Sequence, residues 1–382
     1  MDNTDLRTVI VETASELAAL RQPWINLLGC QVNATMFMTP DWLETWWRVF
    51  GDERRLQVVR VHDGQQLVGL GLFTMRPILR HGVRTHTRLE VLGTGEEEAE
   101  EVGTEYPDLI ALPGKEEAVA AAIAGALHKI APDEVILTNV LEDSLCMRYL
   151  VPTMEKMRYG LLRSPSGRRY RVELPSSFSE YLNRLSKKKA KRVMYYRRRL
   201  EREGRFKMVR VQREDQLEGA FQELERLHTL RWNSKGKDGA FSQPRFRSFH
   251  NQIARRALEA GQLGLRVWHL DDRPVAAHYH FHVGDTVYYY QSGFDTDALG
   301  NMSGGLVTLT ACIEEAIRDG FTYFDFMRAA DGTYKEDYSC ETAPMVDLAL
   351  YHPNLKGRSM FLKRNATRVL GGLARRVRST AE

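Results

Sequence analysis

Three consecutive runs rich in apolar and aromatic residues, separated only by short turns, constrain the fold of this chain most. The runs are GLRVWHL, PVAAHYHFHV and TVYYYQSG. Asp271-Asp272-Arg273 separates the first pair and Gly284-Asp285 separates the second, and such residues are typical of tight hairpin turns. The pattern therefore predicts an antiparallel meander of three strands.

A glycine-containing loop and a helix follow the meander. The loop FDTDALGNMSGG leads to a predicted helix from Leu306 to Arg318, and Gly320 is placed to end it. The strands TYFDFM and MVDLALYH come next. Upstream, Thr39 and Pro40 predict a helix start, followed by the stripe Trp42, Trp46 and Phe50, which we interpret as core.

The chain is long enough to need more than one core. Its 382 residues exceed the size at which a single core keeps growing, so we expect two domains. A turn-rich stretch, Ser164-Pro165-Ser166-Gly167, marks the predicted boundary. We predict an N-terminal domain over 1–165, a second domain over 166–352 and a basic helical tail over 353–382. Element order suggests that the first half is a degenerate copy of the second.

Positive charge is clustered although the net charge is only +4. One cluster is a predicted helix from about Phe178 to Glu203, in which we expect one face to be buried and the other to bind a polyanion such as coenzyme A, tRNA or anionic lipid. The second cluster is the tail, a basic amphipathic helix for which packing on the protein is favoured over a membrane-surface anchor.

Cysteine usage and hydropathy predict a soluble, cytoplasmic protein. Peripheral contact with a membrane is the alternative. Cys30, Cys146, Cys312 and Cys340 lie far apart and form no Cys-x-x-Cys pair, as expected in a reducing compartment. The N-terminus shows no signal-peptide pattern, and no apolar stretch reaches the roughly 18 residues that span a bilayer.

The segment Asn301-Met302-Ser303-Gly304-Gly305 lies just before the predicted helix. The first N–H groups of a helix lack intrahelical acceptors and carry partial positive charge. Glycines let a phosphate approach that backbone, so the segment is a candidate anion site, although the pattern alone is weak.

Alternation along PVAAHYHFHV places His278, His280 and His282 on one face of the strand. Three imidazoles could bind a metal, but no acidic or cysteine partner has metal-site spacing. We therefore favour a polar cleft lining without a metal, in which His280 could serve as a base.

Several motifs in the same order resemble the CelD-like, or BioF2-like, branch of the GNAT acyltransferase superfamily. They are KKKAKRVMYYRRRLEREG, LHTLRW, a later GAF, Phe249-His250, PVAAHYHF, YYYQSGFD, SGG and FDFMRAADGTYKEDY, with PDWLETWWRVF upstream. The layout is similar to the tandem-GNAT architecture of FemAB-type transferases. The resemblance implies an α/β fold of the α+β type with two GNAT-like domains, each a mostly antiparallel mixed sheet flanked by helices, and a basic C-terminal helix.

The resemblance also implies an acyl thioester held in a wedge between TVYYYQSG and TYFDFM. Acyl-CoA, with acetyl-CoA or a longer acyl chain, would be the co-substrate, and no metal is expected. The cofactor-binding candidates are Ser292, Gly293, Ser303, Gly304 and Gly305. The catalytic candidates are Asp325, Lys335, His280 and Tyr334, and the substrate-binding candidates are Arg231, Trp232, Tyr290 and Glu336.

Three functions remain open at this stage. The first is an N-acyltransferase acting from acyl-CoA on an amine, as a small-molecule or sugar-amine acceptor in envelope polysaccharide biosynthesis. The second is a Fem-like transferase that uses aminoacyl-tRNA on a cell-wall precursor, because the glycines lack the usual superfamily spacing. The third is a non-catalytic binding module. The basic helices could contact an anionic membrane or tRNA, and the oligomeric state is open.

Overall fold

The computed structural model describes residues 6–203, 206–234, 236–299 and 303–379, with the backbone alone at 80, 201–203 and 369–379. The strands are β1 Arg7–Val11, β2 Arg55–Leu56, β3 Val58–Asp63, β4 Gln66–Gly71, β5 Phe73–Arg80, β6 Val83–Val91, β7 Ile110–Ala111, β8 Glu134–Leu141, β9 Gly160–Glu173, β10 Phe206–Arg210, β11 Arg266–Leu270, β12 Arg273–Val283, β13 Thr286–Phe294, β14 Tyr323–Ala329 and β15 Glu341–Tyr351. The α-helices are α1 Ala14–Ala19, α2 Arg21–Leu28, α3 Pro40–Phe50, α4 Glu116–Ile130, α5 Val151–Lys156, α6 Phe178–Arg184, α7 Lys187–Glu203, α8 Glu214–Asn233, α9 Pro244–Glu259, α10 Thr296–Leu299, α11 Gly304–Arg318 and α12 Leu355–Ser379.

The chain divides into two compact units that differ from the predicted domains at the C-terminal end and at residues 96–102. The first unit comprises 1–95, 103–166 and 344–382, and the second comprises 96–102 and 167–343. Residues 344–352, predicted to close the second domain, belong to the first unit because β15 pairs with β8 from Met345 to Tyr351. The predicted separate tail belongs to that unit as well.

Two sheets form the first unit. β1, β3, β4 and β7 form an antiparallel sheet. In the other sheet, β8 pairs antiparallel with β15 and parallel with β6, and β5 lies between β6 and β2. The predicted start of α3 is confirmed: Thr39 Oγ1 accepts from the Trp42 amide at 3.4 Å and Pro40 is the first helical residue. Trp42, Trp46 and Phe50 are buried, so this stripe is core.

The second unit contains the predicted meander. Its strand order is β10-β11-β12-β13-β14-β9, in which only β13 and β14 pair in parallel. Asp271 and Asp272 have φ of 53° and 61°, and Gly284 has φ of 59°, as tight hairpin turns require. The mostly antiparallel mixed sheets of both units confirm the predicted fold class.

The predicted basic helix is two helices rather than one. α6 ends at Arg184, and the extended ψ of 159° at Leu185 breaks the helix. The Ser186 hydroxyl then accepts from the Lys189 amide at 3.2 Å, so it caps the start of α7. The break leaves α7 as a separate basic helix.

Candidate active site

The parallel strands β13 and β14 separate after a short paired segment. Their pairing covers only Thr286 to Tyr288 against Tyr323 to Asp325, although β13 continues to Phe294. The register between β12 and β13 shifts at Tyr279/His280. Because both irregularities occur at the same level of the sheet, the two strands diverge there, as the resemblance to GNAT proteins implies.

The N-terminus of α11 lies beside this gap. Ser303 adopts the left-handed conformation, with φ 49° and ψ 43°, immediately before the first helical residue, Gly304. A Cβ at Gly304 would lie 2.4 Å from the end of the Leu299 side chain, which would have to move to make room. A Cβ at Gly305 would lie 3.5 Å from the Phe294 ring, which is ordinary contact. Asn301 and Met302 lie outside the described residues.

A cavity of about 700 Å³, which we call the Ser303 cavity, opens at this helix start. Basic side chains from α7 and α8 form part of its wall. The lining residues are Ser186, Lys188, Lys189, Arg192, Arg231, Tyr289, Phe294, Thr296, Leu299, Ser303, Gly304, Gly305, Leu306, Leu309, Tyr334, Asp337 and Tyr338.

The cations of this cavity converge on the start of α11. Arg192 Nη2 donates to Ser303 Oγ at 2.6 Å. Lys189 Nζ lies 3.3 Å from the centre of the Tyr338 ring and 3.6 Å from Asp337 Oδ2, and burial lowers its pKa. Within the described part of the chain, Lys188, Arg192 and Arg231 have no carboxylate within ion-pair distance. The cavity therefore combines free helix amides with unneutralised positive charge, which suits a phosphate group.

A hydrogen-bonded row of hydroxyl groups leads from this wall. Tyr289 Oη donates to Ser292 Oγ at 2.7 Å, and Arg231 Nη1 donates to the same oxygen at 3.1 Å. Tyr334 lines the same cavity and is 47% exposed. Burial raises the pKa of Tyr334, and the Arg231 guanidinium opposes that rise. Tyr334 is therefore protonated at neutral pH and can donate a proton into the cavity.

Residues 187–336 match the family of acetyltransferase (GNAT) domains. This segment is a GNAT domain. The match includes the basic helix α7, the meander, Tyr334 and the start of α11 at Ser303. The cavity therefore belongs to the GNAT domain. The GNAT resemblance stated from the sequence is confirmed, whereas the CelD-like branch stays a prediction.

Solved structures share the fold over more than nine tenths of this chain at low sequence identity. FemX aligns over 91% of this chain and 98% of its own, with 10% identity and a TM-score of 0.64. The C-terminal domain of a putative lysylphosphatidylglycerol synthetase from Agrobacterium fabrum covers 94% and 97%, with 13% identity and a TM-score of 0.53. A tandem GNAT protein from the clavulanic acid biosynthesis pathway covers 92% and 99%, with 11% identity and a TM-score of 0.50. No curated protein sequence matches the chain.

Five predicted site residues line the cavity of the GNAT domain. They are Arg231, Ser303, Gly304, Gly305 and Tyr334. Ser292 lies behind the wall, buried, and orients Arg231. Gly293 has a packing role instead of a cofactor role, because a Cβ there would come 2.3 Å from the His228 backbone nitrogen.

Asp325 and Lys335, predicted to be catalytic, shape β14 instead of lining the cavity. Asp325 is buried and accepts from the Met327 amide at 2.6 Å, where Met327 has φ of 63°. Lys335 Nζ donates to the backbone oxygens of Phe326 at 2.5 Å, Met327 at 3.3 Å and Arg328 at 2.9 Å. Both side chains therefore hold the irregular end of the strand that diverges from β13.

We expect Lys335→Met to destabilise the second unit by about 3 kcal/mol, because charge-assisted hydrogen bonds to carbonyls that stay partly buried are lost. Urea unfolding monitored by tryptophan fluorescence measures the change. Lys188→Met is the matched control, since Lys188 is exposed, and its effect should stay within about 0.5 kcal/mol. Equal midpoints for the two variants would contradict the role of Lys335.

His280 is not a cavity base, because it belongs to the core beneath α11. His278, His280 and His282 share one strand face as predicted, but that face is buried, and burial holds their pKa values far below the ordinary range of histidine. Ligand atoms of His278, His280 and Cys312 lie within 4.8 Å of one another. The buried Arg266 guanidinium, paired with Glu315, places positive charge beside them. The absence of a metal therefore stays a prediction.

The remaining substrate candidates lie away from the cavity. Tyr290 points to the opposite sheet face, where it contacts the Val102 carbonyl and His250 Nε2 at 2.9 Å. Trp232 contacts His228 and Lys237. Glu336 accepts from Tyr170 at 3.2 Å and from the Gly332 amide at 2.7 Å, so it fixes a turn.

Sequence reasoning missed several cavity residues. Tyr289, Phe294 and Asp337 were not singled out, and the charged helix was assigned to polyanion binding without selecting Lys189 or Arg192 for the site. Among the described lining residues, Asp337 is the one carboxylate.

Within the described residues, no helix combines the length and apolar character needed to cross a bilayer.

Proposed function

We propose that this chain is an N-acyltransferase that moves an acyl group from acyl-CoA to an amine. The observation that carries the proposal is the wall of the Ser303 cavity, where the first amides of α11, Arg192 and Arg231 meet beside diverging strands. Helix amides and unpaired guanidinium groups bind a diphosphate, and the gap between the strands accepts an extended chain. A sugar amine of an envelope polysaccharide is the acceptor class that the CelD-like resemblance supports.

The reaction would be direct attack of the amine on the thioester carbonyl. The new C–N bond forms, the C–S bond breaks, and the amine proton must leave. In this mechanism Tyr334, which is protonated and lines the cavity, donates a proton to the departing thiolate. Asp337 is the cavity carboxylate that can accept the proton of the attacking amine.

A charge reversal at Gly305 tests the proposed carrier site. The Cβ of a Gly305→Glu side chain would make only ordinary contact, and an acidic residue in the first turn favours the helix, so the fold should persist. The carboxylate would repel a diphosphate, so stabilisation by acetyl-CoA, about 2.7 kcal/mol at a concentration of 100 Kd for the unmodified chain, should disappear. Thermal unfolding with and without acetyl-CoA measures it.

Gly305→Gln is the matched control, since it has the same size without the charge. It should retain most of the stabilisation by acetyl-CoA. Loss of stabilisation in both variants would indicate steric blocking, and retention in both would contradict the diphosphate site.

A second candidate is a Fem-like transferase that takes its acyl group from aminoacyl-tRNA. The exposed Lys187, Lys188 and Lys191 of α7, which have no carboxylate partner among the described residues, favour it. Stabilisation by tRNA that falls steeply with salt, without a response to acetyl-CoA, would support this donor. No response to either ligand would favour the non-catalytic binding module.

A further inference from the structure

The C-terminal helix α12 has an unusual charge distribution. Its 25 residues contain no acidic side chain. The basic residues are Lys356, Arg358, Lys363, Arg364, Arg368, Arg375, Arg376 and Arg378. The side chains from residue 369 onward, including Arg375, Arg376 and Arg378, lie outside the described part.

One face of α12 is fixed to the first unit. Lys356 Nζ lies 2.9 Å from Asp133 Oδ2, and Arg364 Nη1 lies 3.1 Å from Glu134 Oε2. The Phe361 ring packs against Tyr351, with centroids 5.9 Å apart. These contacts fix which side of the helix faces the protein.

The opposite face of α12 exposes apolar side chains. Leu355 is 90% exposed and Leu362 is 64% exposed, and their spacing of seven residues places them on one stripe with the exposed Ala366. A helix that packs on its own domain normally turns its leucines inward, but none of the described residues covers this stripe. In the sequence, Val369, Leu373 and Val377 continue the same spacing.

Unpaired positive charge borders the stripe. Arg358 and Lys363 are exposed and, within the described part of the chain, have no carboxylate within ion-pair distance. A second copy that docked by its own α12 would present the same sign of charge and be repelled. A nucleic acid would use the cations but leave the leucines in water. An anionic lipid surface satisfies both, because leucines enter the acyl boundary and cations face lipid phosphates.

We propose that the outward face of α12, defined by Leu355, Arg358, Leu362, Lys363 and Ala366, docks on an anionic phospholipid surface. The helix then lies in the plane of the membrane interface and holds the first unit against it. This docking does not depend on the acyl-transfer reaction. It adds membrane contact to the packing on the protein that the sequence favoured.

Co-sedimentation of the full chain with vesicles tests the proposal. We expect binding to vesicles that contain phosphatidylglycerol with phosphatidylcholine, weakening as salt rises, and little binding to phosphatidylcholine alone. The double variant Leu355→Gln, Leu362→Gln should bind at least about tenfold more weakly. Arg358→Gln, Lys363→Gln should also bind more weakly, whereas Lys129→Gln, which removes an exposed charge from α4, should bind normally.

Other outcomes would overturn the proposal. Equal binding to both kinds of vesicle would exclude recognition of anionic lipid. A dimer in light scattering that is lost in the leucine variant, without vesicle binding, would assign the stripe to a second copy, and binding to RNA alone would assign the charges to nucleic acid. Acetyl-CoA stabilisation should be unchanged in every tail variant, so failure here is distinguishable from failure of the acyl-carrier proposal.

Discussion

The second unit should lose stability as the pH falls from about 6.5 to about 5, because its buried histidines are neutral in the folded state. Burial is the largest cause of the lowered pKa of each of these histidines. It lowers the pKa of His228 to about 4 and that of His282 to about 3, and it holds the pKa values of three others well below the ordinary 6.5. The complete set is His228, His250, His278, His280 and His282.

Folding stability falls as the pH falls because the unfolded chain takes up more protons than the folded chain does. A histidine whose folded pKa is lowered stays neutral in the folded chain, while the unfolded chain binds a proton below about pH 6.5. Its stabilising contribution is therefore complete above that pH and is lost as the pH falls toward the folded pKa. At pH 5, His228 and His282 each cost about 2 kcal/mol of folding stability, because their folded pKa values are about 4 and about 3. The other three histidines act in the same direction.

Calorimetric unfolding across this pH range measures the effect. The Tm should fall steeply below about pH 6.5, and His282→Gln should reduce the slope of stability against pH by about one proton. His269→Gln is the control, since His269 is only partly buried in the same unit. A Tm that stays constant down to pH 5 would mean that these histidines are protonated in the folded chain.

The meander and its turns were predictable because their signals are local. Strand alternation, the Asp271-Asp272 turn and the glycine that ends α11 each need only a few neighbouring residues. The position of β15 was not predictable in this way, because its partner β8 lies about 200 residues earlier in the chain. For this reason the compact units divide before β15 and not at the predicted residue 352.

The site was harder to predict because one irregularity changes which side chains face the cavity. The register shift between β12 and β13 occurs beside Tyr289 and Tyr290, so alternation counted along TVYYYQSG does not reveal which tyrosine faces the site. Tyr290 was selected, but Tyr289 lines the cavity. Lys335 was similarly ambiguous, since a sequence cannot show that its ammonium group is used by three carbonyls of β14.

If the chain transfers an acyl group from acyl-CoA, Tyr334→Phe should lower kcat by about 10²- to 10⁴-fold, the usual contribution of a positioned general acid. Its phenol lines the cavity and remains protonated at neutral pH, because burial raises its pKa above the ordinary value of 10.0. The substitution removes only the hydroxyl group, so stabilisation by acetyl-CoA should persist. Release of free CoA thiol, measured with the best acceptor of an amine panel, gives kcat.

Tyr338→Phe is the matched control, because Tyr338 lines the same cavity and its ring contact with Lys189 would remain. Its kcat should stay within a few-fold of the unmodified chain. The kcat of the unmodified enzyme should also decline at alkaline pH, above about pH 10, as the Tyr334 phenol ionises, and this decline should be absent in Tyr334→Phe. If both phenylalanine variants turn over at the same rate, the proton reaches the thiolate from another donor, and Tyr334 only shapes the wall of the cavity.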